Sequence, residues 1–259
     1  MVANPVIEVM LKRKSVRRYT AEQPSDELVQ TIVRAGQQAP FAYQLCSVLL
    51  SRRQADNPFH APLLFTLCID FHRLELVMAQ RNWRRVTNDL TLLLFGAQDA
   101  SLMAENMVIA AESFGLASCF LGDAPYQADK IAADYQLPPR VFPLVQLAMG
   151  YPAEEFPPRP RFPLAFTLFE DRYPQLDTEV VQAAMQSMDE GYRAQGYYLK
   201  QNALIPLETD RSETYTYDNY SWTEHISRKA GQWEASADEL LEQFAERGLN
   251  IPGHSPPSE

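Results

Sequence analysis

Apolar side chains dominate residues 99–122, which read DASLMAENMVIAAESFGLASCFLG. Apart from Ser101 and Ser118, the polar residues of this stretch stand at 99, 105, 106, 112 and 113, and on a helix this spacing forms one narrow polar stripe. A helix that is apolar over most of its circumference has to be buried over most of it. The pattern predicts a helix capped by Asp99 or Ser101 that ends at Gly115 with a positive φ, followed by a short buried strand closed by Gly122.

Two interpretations of this helix are open from the pattern. It is either the core helix of an ordinary α/β domain, or a helix covered on one side by its own domain and on the other side by a partner subunit. The rest of the chain has to decide between them.

The remaining hydrophobic pattern alternates between helices and strands, which predicts a layered α/β or α+β fold. The predicted helices cover 5–12, the segment capped by Ser25 and ended by Pro40, 71–80, 126–135, 178–198 and 235–247, the last capped by Ser236 or Asp238 and stopped by Gly248 and Pro252. The predicted strands cover 46–51, 62–70 and 142–149. Residues 152–163 and 211–222 carry no regular pattern, and we expect the final residues GHSPPSE to be disordered.

Composition and charge narrow the class of protein. The chain has 259 residues, a formal net charge of -10 and a pI of about 5.0, which argues against general binding to nucleic acids or anionic membranes. Its apolar runs are too short for a membrane span, and its N-terminus lacks the features of a signal peptide. Cys46, Cys68 and Cys119 have apolar neighbours and no metal-ligand spacing. We therefore expect reduced core cysteines in a cytoplasmic protein, with a reactive thiol as the alternative.

The first candidate site is the basic segment around Arg13, Lys14, Ser15 and Arg17. Side chains two positions apart share a side of an extended segment, so Arg13, Ser15 and Arg17 could converge on one anion such as a phosphate. The alternative is a solvated basic turn.

The second candidate site is Arg159-Pro160-Arg161, where proline restricts the arrangement of two guanidinium groups that could bind a phosphate. Its alternative is an exposed loop with two arginines. The third candidate is Leu121-Gly122-Asp123, where a glycine after a strand would let a flat ligand approach the backbone. Its alternative is a simple tight turn.

Common catalytic motifs are missing from the sequence. It contains no GxGxxG, P-loop, HExxH or GxSxG motif, and its four histidines form no metal-ligand pattern. An enzyme without an obvious nucleophile, base or metal site suggests that a bound cofactor carries the chemistry.

In type, order and spacing, these segments resemble the flavin-dependent nitroreductase family. The similarity lies in RKSVRRYT, in the 99–122 block and in LPPRVFPLVQLAMGYPAE. QLCSVLLS, CIDFHR, RPRFPLAFTLFEDRYP and the late YYL and WTEHI pieces are most similar to the NADPH-dependent, oxygen-insensitive nitroreductases and flavin reductases. The resemblance covers residues 6–175 well and 176–228 weakly. It implies an α+β three-layer sandwich with a central, mostly antiparallel sheet between helices, built as an intertwined homodimer.

The resemblance also implies two FMN molecules between the subunits, with site residues that transfer to this sequence as follows. The FMN phosphate and ribityl chain would contact Arg13, Lys14, Ser15, Arg17, Arg159 and Arg161. The flavin ring would contact Leu121, Gly122 and Asp123, and from the partner chain Pro40, Phe41 and Ala42. No side chain would be catalytic, since hydride from NADPH or NADH passes through flavin N5 to a nitroaromatic, a quinone or a free flavin.

Two segments differ from the family pattern. The loop APFAY carries few hydrogen-bond donors, and Leu45, next to Gln44, stands where a flavin-contacting glutamine is common. In DRSETYTYDNYS, Arg211 is the only cation that could bind the NADPH phosphate, and Glu213 and Asp218 would repel it, so the choice between NADPH and NADH stays open.

We therefore expect an FMN-binding core over residues 1–175 and an extension over 176–259 that packs on the core or on the partner subunit. The alternative functions are another flavin enzyme on the same fold, such as a reductive dehalogenase or a flavin-consuming enzyme, and a flavin-binding dimer without catalysis.

Overall fold

The computed structural model describes residues 4–208, 211–233 and 236–251. The chain divides into two compact units, the first formed by Met1–Phe156 with Ser236–Glu259 and the second by Pro157–Ala235. The boundary between these units, after Phe156, differs from the boundary after residue 175 expected from the sequence. The expected division into a core and an extension stays a prediction. The predicted disorder of the final residues, like the predicted stop at Pro252, lies outside the described part of the chain.

The first unit is built on a four-stranded antiparallel sheet in the order β1-β2-β4-β3. Its strands are β1 (Cys46–Ser51), β2 (Leu63–Asp70), β3 (Ala117–Leu121) and β4 (Val141–Gly150). Every residue of β2 is buried, as the continuous apolar run from 62 to 70 predicted for a strand covered on both faces. The predicted strands are therefore confirmed to within a residue at each end.

Six helices belong to the first unit and three to the second, within the described residues. They are α1 (Pro5–Lys12), α2 (Asp26–Gln37), α3 (Phe71–Gln80), α4 (Asp89–Ser113), α5 (Ala128–Tyr135) and α9 (Ala237–Glu246) in the first, and α6 (Thr178–Ala194), α7 (Tyr197–Gln201) and α8 (Trp222–Gln232) in the second. The hydroxyls of Ser25 and Ser236 accept backbone N–H groups at the starts of α2 and α9, which confirms both predicted caps.

Helix α4 corrects the sequence prediction at its start. It begins at Asp89, ten residues before Asp99, and its cap is Asn88, whose side chain accepts the N–H of Thr91. The apolar run 90–95 is therefore the first part of the same helix, and neither Asp99 nor Ser101 caps it. Its predicted end is confirmed, because Gly115 follows with a φ of 79°.

Helices cover both faces of the sheet, as predicted. On one face α2 and α4 pack on β2 and β4 through a core that includes Ile32, Met107, Phe65 and Leu147. Gly36 allows the two helices to approach closely, since a Cβ there would lie 2.5 Å from Cγ of Met107. On the other face Leu64 and Gln146 share a cavity of about 350 Å³ with residues of α5. Phe244 of α9 packs on Phe142 of β4 with ring centroids 4.5 Å apart.

The second unit is held by aromatic rings around a buried arginine. Tyr198 and Tyr220 meet edge to face at 5.3 Å, and Arg228, only 4% exposed, lies 5.2 Å from the Tyr220 ring centroid. The helix predicted over 178–198 is divided by Gly196, which has a φ of 59°. Helix α8 was not predicted, because only three of its eleven residues, Trp222, Ile226 and Ala230, are apolar.

The three cysteines are free thiols, with Cys68 and Cys119 buried. Burial raises the pKa of Cys46 to about 12 and also raises the pKa of Cys68 and Cys119, which disfavours the reactive thiolate. Within the described ranges, no helix combines the length and apolar character needed to cross a bilayer.

Candidate functional site

The basic segment runs along the free edge of β3. Ser15 forms a parallel bridge with Ser118, and the N–H of Val16 donates to the Ser118 carbonyl at 2.9 Å. Val16 is completely buried, so it fixes the orientation of the segment. Because alternate residues of an extended segment point to opposite sides, Arg13, Ser15 and Arg17 lie on the side away from Val16. The structure therefore supports the shared side that the two-residue spacing predicted.

Two glutamates lie beside this segment. Nζ of Lys14 is 3.1 Å from Oε1 of Glu155, and the backbone N–H of Arg17 donates to Oε1 of Glu154 at 2.9 Å. These two contacts use the ammonium group of Lys14 and the backbone of Arg17. Lys14 also lies 5.4 Å from the ring centroid of Phe156. The guanidinium group of Arg17 is on the exposed surface.

Two buried polar atoms next to the basic segment have no hydrogen-bond partner among the described residues: Oε1 of Glu112 and Oγ of Ser118. Burial raises the pKa of Glu112 to about 7, against the lowering effect of the charges of Arg13 and Lys14. Buried polar atoms are normally satisfied, and the hydroxyl of Ser118 beside three cations is a donor that a phosphate-bearing ligand could use, whereas Glu112 could donate to a phosphate only when protonated. The donor set present here thus suits the phosphate monoester of FMN.

The third predicted group lies where β3 ends. Leu121 is the last residue of the strand, and a Cβ built on Gly122 would meet no atom within 4 Å. Oδ2 of Asp123 accepts a hydrogen bond from Nε2 of Gln127 at 2.7 Å, which fixes the turn. The backbone at Gly122 is therefore open to a flat group. Gly122 stands four positions after Ser118 along the strand, a length of about 13 Å.

The predicted loop residues Pro40 and Phe41 line a separate cavity of about 510 Å³. Its other described lining residues come from α2, the loop between α2 and β1, β1 itself, α3 and α4, and include Gln44, Arg73 and Asp99. The residues of 13–17 and 121–123 are not among them. One chain therefore brings the predicted residues of the first unit together in two separate groups.

Asp99 is a site residue that sequence reasoning assigned wrongly, as a helix cap. Its carboxylate accepts the backbone N–H groups of Ala42, Tyr43 and Leu45 at 2.7, 3.2 and 2.9 Å. Arg73 was not singled out from the sequence either. One signal in the sequence could have identified Asp99, because it is an acidic residue within an apolar run of helical length. A carboxylate that is buried in this way needs hydrogen-bond donors from elsewhere in the fold.

The other predicted arginines lie in the second unit. Arg159 stacks over the ring of Tyr197 at 4.2 Å and donates to Oε1 of Gln195 at 2.7 Å. Arg161 is exposed and donates to the carbonyls of Arg159 and Pro160. The stacking and the short connection hold this pair on the surface of its unit.

Arg211 is exposed on the segment that precedes α8. Glu213, expected to repel a coenzyme phosphate, is paired with Arg228 through bonds of 2.7 and 2.8 Å. Hydrogen bonding to Arg228 lowers the pKa of Glu213 to about 2, so its charge is kept but largely compensated. Of the two expected repulsive charges, the exposed Asp218 is therefore the stronger.

Comparison with known proteins identifies relatives of the whole chain. Residues 46–151 match the family model described as "Nitroreductase family". The chain is 29% identical over 268 residues to a Cr(VI) reductase of Pseudomonas sp. (strain G-1), covering 95% of this chain and 99% of the relative. It is also 29% identical over 262 residues to an NADPH-flavin oxidoreductase of Vibrio harveyi, covering 95% and 98%. Among solved structures, the hypothetical oxidoreductase YcnD from Bacillus subtilis matches with a TM-score of 0.80 at 23% identity, covering 96% and 99%.

Proposed function

Because this chain belongs to the nitroreductase family, we propose that it is an FMN-dependent NAD(P)H oxidoreductase that reduces nitroaromatic compounds, quinones or free flavins. The observation that carries the proposal is the basic segment on the edge of β3, which leads along that strand to the open turn at Gly122. A cationic end and an open end about 13 Å apart suit a ligand with a phosphate at one end and a flat ring at the other. The relatives named as flavin reductases support it further.

In this proposal Arg13, Lys14, Ser15 and Arg17 bind the phosphate and ribityl chain of FMN. Charge-assisted bonds from guanidinium and ammonium groups are the strongest contacts that side chains offer to a phosphate. Arg159 and Arg161, which the resemblance assigns to the same phosphate, stay a prediction. Leu121, Gly122 and Asp123 would lie along the ring, where the missing Cβ of Gly122 leaves room for it. Bound FMN would supply the hydride chemistry, and the protein would supply position and positive charge.

We further propose that the protein is a homodimer in the cytoplasm. Leu90, Leu94 and Leu102 lie exposed on α4 although eleven of its 25 residues are buried. Exposed apolar side chains on an otherwise buried helix favour a protein partner. A second chain would also bring Pro40, Phe41 and Ala42 to the flavin ring, which explains why one chain holds two separate groups of site residues. The three free cysteines agree with a reducing compartment.

The electron donor is NADPH or NADH, and the acceptor is a small aromatic molecule. Arg211 is the side chain proposed to contact the coenzyme phosphate, with Asp218 weakening that contact. A flat stacking site accepts many flat molecules, so the proposal concerns a class of acceptors rather than one substrate.

The visible spectrum of the purified protein tests this proposal. FMN is added, unbound FMN is removed, and NADPH or NADH is then added without oxygen. We expect the flavin bands to remain with the protein and to bleach on addition of the donor, faster with the preferred one. Bound flavin that is not bleached by either donor would favour a flavin-binding protein without this activity, and absence of bound flavin would contradict the proposal.

A further inference from the structure

Asp99 is a buried carboxylate in the middle of an apolar helix. It is 4% exposed and follows the first ten residues of α4, about three turns, in which most side chains pack into the core or lie on its border. Taking a carboxylate out of water is costly unless donors replace the lost water. Here the three N–H groups of Ala42, Tyr43 and Leu45 are those donors, at 2.7–3.2 Å. The carboxylate therefore holds the loop that follows Pro40.

Arg73 holds the same loop from α3. Its Nη2 atom donates to the carbonyls of Gln44 and Cys46, both at 2.7 Å. The carboxylate of Asp99 thus accepts hydrogen bonds from N–H groups of the loop, and the guanidinium group of Arg73 donates hydrogen bonds to its carbonyls. Gln44 lies between them with a φ of 53°, a conformation that residues other than glycine rarely adopt. Two side chains of opposite charge, Asp99 from α4 and Arg73 from α3, therefore keep this segment in one conformation.

The clamped loop forms one wall of the 510 Å³ cavity, which Asp99 and Arg73 also line. The side chains of Pro40, Phe41 and Ala42 offer no hydrogen-bond donor or acceptor. Such residues recognise a flat ring only by shape and apolar contact, which falls off steeply when atoms separate. Their value to a ligand depends on how firmly the backbone holds them.

We propose that Asp99 is a positioning residue for the flavin site, because its three backbone hydrogen bonds fix the loop that carries Pro40, Phe41 and Ala42. The proposal rests on the proposed function, because it concerns the same site. The helix supplies order that serines or asparagines within the loop would otherwise provide through their own hydrogen bonds. Asp99 acts through the backbone of the loop that it holds.

The test uses Asp99→Asn in the full-length protein. Asparagine keeps the shape but presents an NH₂ group to N–H donors, so at least one loop bond is lost. Hydrogen exchange of the amides of Ala42, Tyr43 and Leu45 is measured without flavin, and FMN affinity is measured by quenching of FMN fluorescence. We expect faster exchange at these amides and about 10- to 100-fold weaker FMN binding, as for the loss of hydrogen bonds to a charged group. The matched control is Asp134→Asn, at an exposed position of α5, which should change neither measurement.

The outcomes separate this inference from the function itself. A wild-type protein that does not bind FMN would contradict the proposed function, while amide exchange still tests the clamp. Wild-type binding with unchanged affinity in Asp99→Asn would overturn the inference, as would faster exchange without loss of affinity, since Asp99 would then serve the fold alone. Should Asp99→Asn not fold, Arg73→Gln loosens the same loop from a side chain that is half exposed. It should weaken FMN binding about 3- to 10-fold, and unchanged affinity and exchange there would overturn the inference as well.

Discussion

Two groups of charged residues in the first unit differ in where their partners come from. The first, called here the Asp89 cluster, consists of Glu75, Arg85, Asp89 and Arg140. Asp89 has a side chain 4% exposed and accepts both arginines, with Arg140 at 2.8 and 2.9 Å and Arg85 at 2.8 Å. Glu75 bonds to the same two arginines, and the N–H of Asn250 donates to Asp89. Every charge in this cluster has a partner within the chain.

The second group is the basic segment from Arg13 to Arg18. Its ion pairs are made with Glu154 and Glu155, and the side chain of Glu155 is 95% exposed. Each pair has one partner that is largely exposed to water, Glu155 or Arg18, and such pairs contribute little to stability. The buried atoms beside it, in Glu112 and Ser118, have no partner in the described structure. Charged residues thus stabilise the fold in the Asp89 cluster, where their partners lie within the chain. In the basic segment, where they have fewer such partners, they are available to bind a ligand.

The largest expected effect is on the Asp89 cluster. Asp89→Asn leaves two arginines facing an uncharged amide in a buried position, and we expect a loss of about 3–5 kcal/mol in the free energy of unfolding. Chemical denaturation of the apoprotein measures it. The same substitution at Asp56, in an exposed pair with Arg53, should cost less than about 1 kcal/mol. Equal losses at the two positions would show that internal partners do not distinguish the groups.

The pH dependence gives a second measurement at Asp89. Burial opposes its ionisation, but the bonds from Arg140 and Asn250 and the charges of Arg140 and Arg85 outweigh that effect and lower its pKa. A lowered folded pKa means that the stabilisation is present at neutral pH and is lost as the pH falls below about 4. The wild type should therefore lose more stability on acidification than Asp89→Asn does.

The next largest effect is expected at Arg17 and concerns binding rather than stability. Arg17→Ala should weaken FMN binding by about 1.5–3 kcal/mol, because it removes one charge-assisted phosphate contact, while the melting temperature stays nearly constant. Fluorescence titration measures the affinity. Arg18→Ala is the control, since that side chain is 80% exposed and points to the other side of the segment. Unchanged affinity in Arg17→Ala would remove this arginine from the proposed site.

The contrast between the two groups also explains what the sequence could predict. Local patterns determined the strands, the caps at Ser25 and Ser236, and the end of α4 at Gly115. The basic segment could be found because its charges are adjacent in sequence. Its place on β3 follows from pairing with Ser118, more than 100 residues away.

Asp99 shows why the remaining features escaped prediction. An aspartate before an apolar run has the chemistry of a helix cap, and nothing local separates that from a buried acceptor. Its true partners lie 54–57 residues earlier in the chain. Likewise, the charge of Glu213 is compensated by Arg228 across 15 residues. The roles of Asp99 and Glu213 depend on partners that are distant in the chain, and a single sequence does not show which distant residues meet.

A smaller effect is expected at Glu112, beside the basic segment. Burial raises its pKa to about 7, partly offset by Arg13 and Lys14, with Glu105 raising it further. A raised folded pKa means that its stabilisation is present at low pH and is lost as the pH rises through about 7. Between pH 5 and 9 we expect this group to lower the free energy of unfolding by about 1–2 kcal/mol after solvent screening, and Glu112→Gln should remove that change. Denaturation at several pH values measures it, and Glu27→Gln, at an exposed position of α2, should keep the pH dependence of the wild type.

The smallest effect is expected at Arg211 and concerns the choice of electron donor. Arg211→Ala should raise the KM for NADPH about 2- to 5-fold and leave the KM for NADH unchanged, because an exposed contact to a phosphate is worth less than about 1 kcal/mol. NADH, which lacks that phosphate, is the internal control in the same steady-state assay. Asp218→Asn should act in the opposite direction, since it removes a repulsive charge while Glu213 stays paired with Arg228. An equal change in the KM for NADPH and for NADH would contradict a contact to the NADPH phosphate and would indicate that Arg211 acts within the protein.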